Sequence, residues 1–360
     1  MSHKNNITQS WFRRHLLTVF SIFVISLFTL MAILGYLITP DSTPYCNQQY
    51  LELASMKPFS HATFVCVADS NTDGNGSATS WLQRMLHGEP LHYTAIPTYH
   101  YQQQGDTLLV ECYTGSTPND GELLRIPNHQ VVKVEQRTFV CGTDGYGRDV
   151  LSQLIIGSRV SLSVGFIAIA IALVIGITLG ALAGYFGGWV DSVITWLINV
   201  VWSIPTVLLV IAITFALGKG FWQVFVAVGL TMWVDVARLV RGQVISIKQK
   251  EYVEAARALG YPHWRIIFRH VLPNVFGSVI VVAASNFATA ILLEAGLSFL
   301  GIGVQPPMPS WGSMVKENYG YILLDSAYLA FLPGLAIMLI VLAFMLLGNA
   351  LRDRYDVHQD

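Results

Sequence analysis

Hydrophobic and polar positions alternate along this chain on the scale of whole segments. Apolar runs of spanning length cover Leu16 to Ile38, Arg159 to Gly188, Val190 to Leu217, Trp222 to Leu239, Val275 to Leu300 and Tyr328 to Gly348. A run of about 18 apolar residues marks a helix that crosses a bilayer. The pattern therefore predicts an all-α polytopic membrane protein with six transmembrane helices. Pro205 predicts a kink in the third run, because a proline frees a carbonyl inside a helix. Pro333-Gly334 predicts an early break in the sixth. In the second run Ala172, Gly176, Gly180 and Gly184 recur every four residues, which bares one helix face and lets another helix approach closely. Just before that run, Val150, Leu151, Leu154 and Ile155 share one face of an amphipathic helix that follows a turn.

Two polar stretches break the pattern. Residues 41–141 are rich in Asn, Gln, Thr, Tyr and Pro. Within them His61 to Ala68, Thr107 to Tyr113 and Gln130 to Val140 carry the β-branched and aromatic residues of strands. All four cysteines, Cys46, Cys66, Cys112 and Cys141, fall in this stretch or at its end. That partition predicts a small β-rich external insertion in an oxidising compartment, stapled by two disulfides in one of three pairings. Four reduced buried thiols are the alternative. Asp69-x-Asn71-x-Asp73-Gly74 opens like a calcium loop, but its twelfth position is Ser80 where a bidentate Glu is wanted, so it reads as a surface turn. The second polar stretch, Glu251 to Asn274, is a charged island with Arg257, Arg265 and Arg269 against Glu251 and Glu254. It reads as two short helices. The first ends at Gly260, which suits a left-handed turn. The second has Pro262 in its first turn and stops at Pro273.

Composition and charge narrow the class. The 360 residues are 53% hydrophobic and 12% charged, against about 25% charged in a soluble domain. Lys4, Arg13 and Arg14 precede the first run, Arg238, Arg241, Lys248 and Lys250 surround the island, and Arg352 and Arg354 close the chain. The turn at Gly218 has only Lys219, and the loop at 301–327 only Lys316. Positive charge stays inside, so both termini and the island face the cytoplasm and residues 41–158 face the exterior. The chain divides into residues 1–40 (cytoplasmic N-terminus and first span), 41–141 (external insertion) and 142–360 (a five-helix core holding the loop 242–274). A cleaved signal peptide is the rival reading of the first run, which is long for one and lacks a convincing cleavage site.

Candidate chemistry is sparse. No Gly-x-x-x-x-Gly-Lys-Ser/Thr phosphate loop occurs, and Gly218-Lys219-Gly220 is its nearest fragment. If ATP drives this protein, another polypeptide binds it. The histidines scatter without metal-ligand spacing, so no metal site is assigned. Glu294 is the one acid well inside a predicted span. Such a group is a functional candidate by default, with structural hydrogen bonding as the alternative. Asp235 and Arg238 stand one helical turn apart and read as a structural pair.

With spans, sidedness and island in place, the sequence resembles the permease subunits of bacterial ABC importers, in particular the dipeptide/oligopeptide/nickel family. The island matches that family's EAA loop: Glu254-Ala255-Ala256, then Gly260, His270 at the variable place and Leu272-Pro273. Four further blocks agree: Gly142-Thr143-Asp144 with Gly147-Arg148-Asp149; Gly180 to Gly188 with Asp191; Gly296 to Gly301 running on to Gln305-Pro306-Pro307 and Ser310-Trp311-Gly312; and Leu332 to Ala336 with Leu351-Arg352-Asp353. Thr195, Trp196 and Asn199 depart from the family, which there carries charges at two of the positions. The resemblance implies a non-catalytic subunit that binds no cofactor itself. ATP and magnesium would sit on two ABC ATPase subunits, alongside a homologous second permease and an external substrate-binding protein, in the inner membrane of a bacterium and with no nucleic-acid partner. It implies that Glu254, Ala255, Ala256, Arg257, Gly260, His270, Leu272 and Pro273 couple to the ATPase, with Asp191, Pro205 and Glu294 as pathway or structural candidates. Peptides are the expected cargo. Nickel or another small solute is the alternative, and an ATP-independent secondary transporter the rival from another class.

Overall fold

The computed structural model describes residues 2–68, 80–115, 118, 120–218 and 220–356. Most of the Asp69–Ser80 turn lies outside these residues. Five helices are long and apolar enough to cross a membrane: Leu16–Ile38 within α1 (Ser2–Ile38), α3 (Val150–Phe186), α6 (Phe221–Ile247), the continuous stretch His263–Phe299, and Tyr328–Asp353 within α11 (Tyr328–Asp356). A bent pair, α4 (Gly188–Trp202) and α5 (Thr206–Leu217), makes a sixth span if taken as one. The helical polytopic class is that expected, and the amphipathic helix at Val150 runs into the second span without a break.

The prolines act differently from the sequence reading. At Pro205 the chain turns by 92° between α4 and α5, a break rather than a kink. Pro205 is extended (ψ 126°) and serves as the N-cap of α5, so Ser203 and Ile204 leave the helix before the ring can clash with it. At Pro273 the expected stop does not occur. Residues 263–266 form α8 (His263–Ile266), Ile267–Val271 is a π-turn, and α9 (Leu272–Phe299) continues from it. The wide turn moves the hydrogen-bond register, with Leu272 N–H donating to the Ile267 carbonyl, so the proline falls at the start of a new α-register, where it needs no donor. Pro333 lies inside α11 without ending it. Its ring lacks the N–H that would meet the Leu329 carbonyl, so α11 continues past it one hydrogen bond short.

The chain forms two compact units, residues 29–160 with 306–334, and residues 161–305 with 1–28 and 335–360. The first holds a five-stranded antiparallel sheet of order β4-β3-β2-β1-β5, with β1 Ser60–Ala68, β2 Tyr93–Gln104, β3 Thr107–Cys112, β4 Leu123–Pro127 and β5 Val131–Phe139. Two short helices, α2 (Trp81–His87) and α10 (Trp311–Asn318), belong to the same unit. The three predicted strands correspond to β1, β3 and β5. Pro97 hid β2 from the sequence reading, because proline in a run argues against a strand. Side chains alternate across the sheet. Phe64, Cys66, Ala62 and Ala95 pack on one face with Tyr50, Leu53 and Phe139, while Val65, Leu108, Val110 and Ile126 form the core of the other.

The expected disulfides are absent: all four cysteines are free thiols. The register explains why two of them cannot meet. Cys66 pairs with Ala95, whereas Cys112 pairs with Thr98, which pairs with Thr63. Residues 63 and 66 have opposite parity, so Cys66 and Cys112 point to opposite faces, two strands apart. That is about 10 Å across the sheet before any offset, beyond the reach of a disulfide. Cys46 is fully buried with Tyr36 and Ile156 and donates to the Asp41 carbonyl at 2.9 Å. Burial pushes the Cys46 thiol far above its ordinary range, and Cys66, Cys112 and Cys141 are raised by burial as well. Apolar packing, not cross-links, holds this unit, together with an ionic cluster: buried Arg148 pairs with buried Asp144 at 2.6 Å and with half-buried Glu317 at 2.5 Å. Burial opposes the Arg148 charge, and these two carboxylates more than offset it, raising its pKa.

Candidate coupling site

The charged island folds around α7 (Glu251–Ala258). Glu251 and Glu254 stand in its first turn, where carboxylates are favoured by the exposed N–H groups. Ala255, Ala256 and Ala258 keep it slender and strongly helical. It ends in a Schellman turn: Tyr261 N–H donates to the Ala256 carbonyl at 3.2 Å and Gly260 N–H to the Arg257 carbonyl at 3.0 Å. Gly260 has φ +77°, a conformation that side chains other than glycine adopt at a cost. Pro262 then caps α8.

One face of this element is docked and the other is bare. Val253 and Ala256 are buried in a cluster with Ile266, Ile267, Val271 and Leu272 and with Tyr185, Val244 and Ile247 from the ends of α3 and α6. Tyr185 Oη lies 3.0 Å from Nδ1 of His263. On the free face Glu254, Ala255, Arg257 and Arg265 are exposed together with Leu259, Trp264 and Phe268, the last three at 74%, 66% and 68%. Arg265 lies over the Tyr261 ring, which stacks on His270. Large apolar groups flanked by charge and left in the open are the composition of a protein-binding surface. Of the predicted coupling residues, Glu254, Ala255, Arg257, Gly260 and Pro273 are exposed, His270 is partly so, and Ala256 and Leu272 are buried on the docked side.

Three features tie this element to the spans, and the sequence reading missed the first two. Asp191 in α4 receives both the Nε and an Nη of Arg241 in α6, at 2.5 and 2.7 Å, and Thr195 donates to it at 3.2 Å. A bidentate pair of this kind fixes orientation as well as distance. Lys248 donates to the carbonyls of Gly184 and Tyr185, capping the last turn of α3. The glycine face of α3 lies against α6: a Cβ at Gly176, Gly180 or Gly184 would meet the carbonyl oxygens of Trp233, Ala237 and Arg241 at 2.7, 2.5 and 2.8 Å. The small face was legible in the sequence. The Asp191–Arg241 partnership was not, since fifty residues separate its members. Arg238 forms no pair with Asp235 and instead lies over the Trp202 ring, 3.5 Å from its centroid.

Glu294 is fully buried. Ser161 Oγ donates to one carboxylate oxygen at 3.1 Å and Ser298 Oγ to the other at 2.8 Å. Ser298 Oγ also accepts from Val304 N–H at 3.2 Å. The acid thus anchors the turn that follows α9.

Residues 176–357 match the family described as "Binding-protein-dependent transport system inner membrane component". The chain belongs to this family. Among its relatives, the glutathione transport system permease protein GsiD of Pectobacterium atrosepticum is 43% identical over 215 residues, which are 60% of this chain and 71% of that protein. The dipeptide transport system permease protein DppC of Alkalihalophilus pseudofirmus is 42% identical over 215 residues, 60% of this chain and 70% of that one. A solved structure of the MetNI methionine ABC transporter in an inward-facing conformation aligns with a TM-score of 0.46 at 20% identity, over 56% of this chain and 96% of that one. This binding-protein-dependent permease is therefore a multi-pass inner-membrane component of an ABC importer. It is not itself a catalyst, and ATP hydrolysis belongs to separate ATPase subunits of the transport system.

Proposed function

We propose that this permease is one half of the membrane pathway of a peptide importer. It pairs with a second, homologous permease and works with two ATPase subunits and an external binding protein. Relatives named for glutathione and for dipeptides support short peptides as cargo. Both termini and the island face the cytoplasm, and residues 41–158 face outward, a sidedness supported by the basic residues around the island.

The observation that carries the coupling role is the two-sidedness of α7 and α8. An exposed apolar and charged face stands ready for a partner, while the opposite face is packed on α3 and α6. Because α8 runs through the π-turn into α9 as one helix, a push on the exposed face is delivered along a spanning helix. Closure of the ATPase pair moves α7, and the spans open outward to receive peptide. Hydrolysis then resets the pathway inward, the cycle of alternating access. Glu254 and Arg257 supply charge to the ATPase groove, and Gly260 sets the angle between the two helices.

The test is reconstitution of the assembled transporter in proteoliposomes. ATP-dependent accumulation of a labelled dipeptide, abolished in Gly260→Asp at equal abundance, is the expected result. Accumulation that proceeds without ATPase subunits overturns the reading.

A further inference from the structure

A cavity of about 280 Å³ opens in the larger helical unit, walled by α4, α5, α6 and α9. Asp235, Thr231, Asn286, Thr289 and Trp202 line it. Asp235 stands fourteen residues into α6 and Asn286 fourteen into α9. At 1.5 Å per residue both lie roughly 21 Å from the starts of α6 and α9, near the middle of each.

Three observations mark this as a ligand site rather than a packing fault. Asp235 is exposed on its helix, and among the described residues neither an ion pair nor a hydrogen bond reaches its carboxylate, because Arg238 is turned onto Trp202. An ionisable group at that depth faces a watery pathway or a partner. Asn286 is 7% exposed, and its Nδ2 is buried without an acceptor, an unsatisfied donor in a setting where such groups are costly. Thr231 and Thr289 spend their hydroxyl protons on the carbonyls of Val228 and Ser285, at 2.8 and 3.3 Å, and so present only lone pairs to a ligand.

We propose that this cavity is a substrate subsite at the membrane midplane that takes the protonated amino end of the transported peptide. A carboxylate with two hydroxyl acceptors suits an ammonium, and the free donor of Asn286 suits the carbonyl that follows it. The volume is at the small end for ligand cavities, so it holds a terminus rather than a long chain. The inference rests on the peptide reading above.

The experiment uses the assembled transporter in proteoliposomes and a matched pair of dipeptides, one with a free amino end and one N-acetylated. The affinity of the binding protein for each is measured separately and divided out. The wild type is expected to transport the free form at least tenfold faster, Asp235→Asn to lose that preference, and Asp235→Glu to keep it. Asn286→Ala is expected to raise KM for both peptides and leave the preference unchanged. Uptake by Asp235→Asn with wild-type preference, or loss of the preference in Asp235→Glu, overturns the subsite alone. No ATP-dependent uptake of either peptide by the wild type overturns the peptide reading and the subsite with it.

Discussion

The contact between α3 and α6 offers a perturbation whose sign can be worked out. In Gly180→Ala the new Cβ would lie 2.5 Å from the Ala237 carbonyl oxygen, 2.9 Å from Val240 Cβ and 3.1 Å from Ala237 Cα. Ordinary contact begins at 3.4 Å, so the helices must part by 3.4 − 2.5, or 0.9 Å. All three obstacles are backbone or the carbon next to it, which no rotamer change can move. Overpacking of this kind costs about 1–3 kcal/mol, whereas replacing a helical glycine by alanine gains about 1 kcal/mol. The clash wins, and Gly180→Ala is expected to be destabilised by up to about 2 kcal/mol. Gly242 in α6 is the control, because nothing lies within 4 Å of its Cβ position. Gly242→Ala keeps only the propensity gain. Thermal unfolding of the purified chain in detergent, followed by near-ultraviolet circular dichroism, should lower the midpoint for Gly180→Ala and hold or raise it for Gly242→Ala. The glycines share one interface, so parting the helices for one relieves the others, and Gly176→Ala with Gly184→Ala should cost less than the sum of the two. Equal shifts of the same sign for Gly180→Ala and Gly242→Ala would refute the reasoning.

Other outcomes follow from the same geometry. Gly260→Asp forces a side chain into φ +77° with open space around it, a strain of about 1–2 kcal/mol confined to the loop. It should leave insertion intact while lowering peptide-stimulated ATP hydrolysis. Glu294→Ala removes the acceptor of Ser161 and Ser298 at a fully buried site and should lower stability by about 1–3 kcal/mol, read as a fall in the unfolding midpoint. Arg241→Ala leaves Asp191 without its bidentate partner. At partial exposure the stability loss should be about 1 kcal/mol, with a larger effect on transport than on abundance. Maleimide should label the native chain slowly at Cys46, since its buried thiol holds its proton and the thiolate is the nucleophile. All four cysteines should react after denaturation without reductant, and fewer than four reactive thiols would contradict the free-thiol assignment.

Much of this protein was set by segment-scale pattern alone. Runs of spanning length can be satisfied in lipid only by helices, and the four-residue glycine spacing put a bare face on α3 that the fold uses against α6. The short helix and turn from Glu254 to Gly260 were legible because α7 and its Schellman turn are local structures that need only nearby residues. Tertiary structure decided what depends on distant partners. Register put Cys66 and Cys112 on opposite faces of the sheet, so clustering in sequence did not become proximity in space, and without disulfides the sidedness rests on positive charge. A π-turn, invisible to any propensity, carried the helix through Pro273 and joined the charged island to a span. Trp202, thirty-six residues away in sequence, took Arg238 from the neighbour that helical spacing assigned to it. That left Asp235 without a salt bridge, because a cation–π contact across the fold competes with an ion pair along one helix.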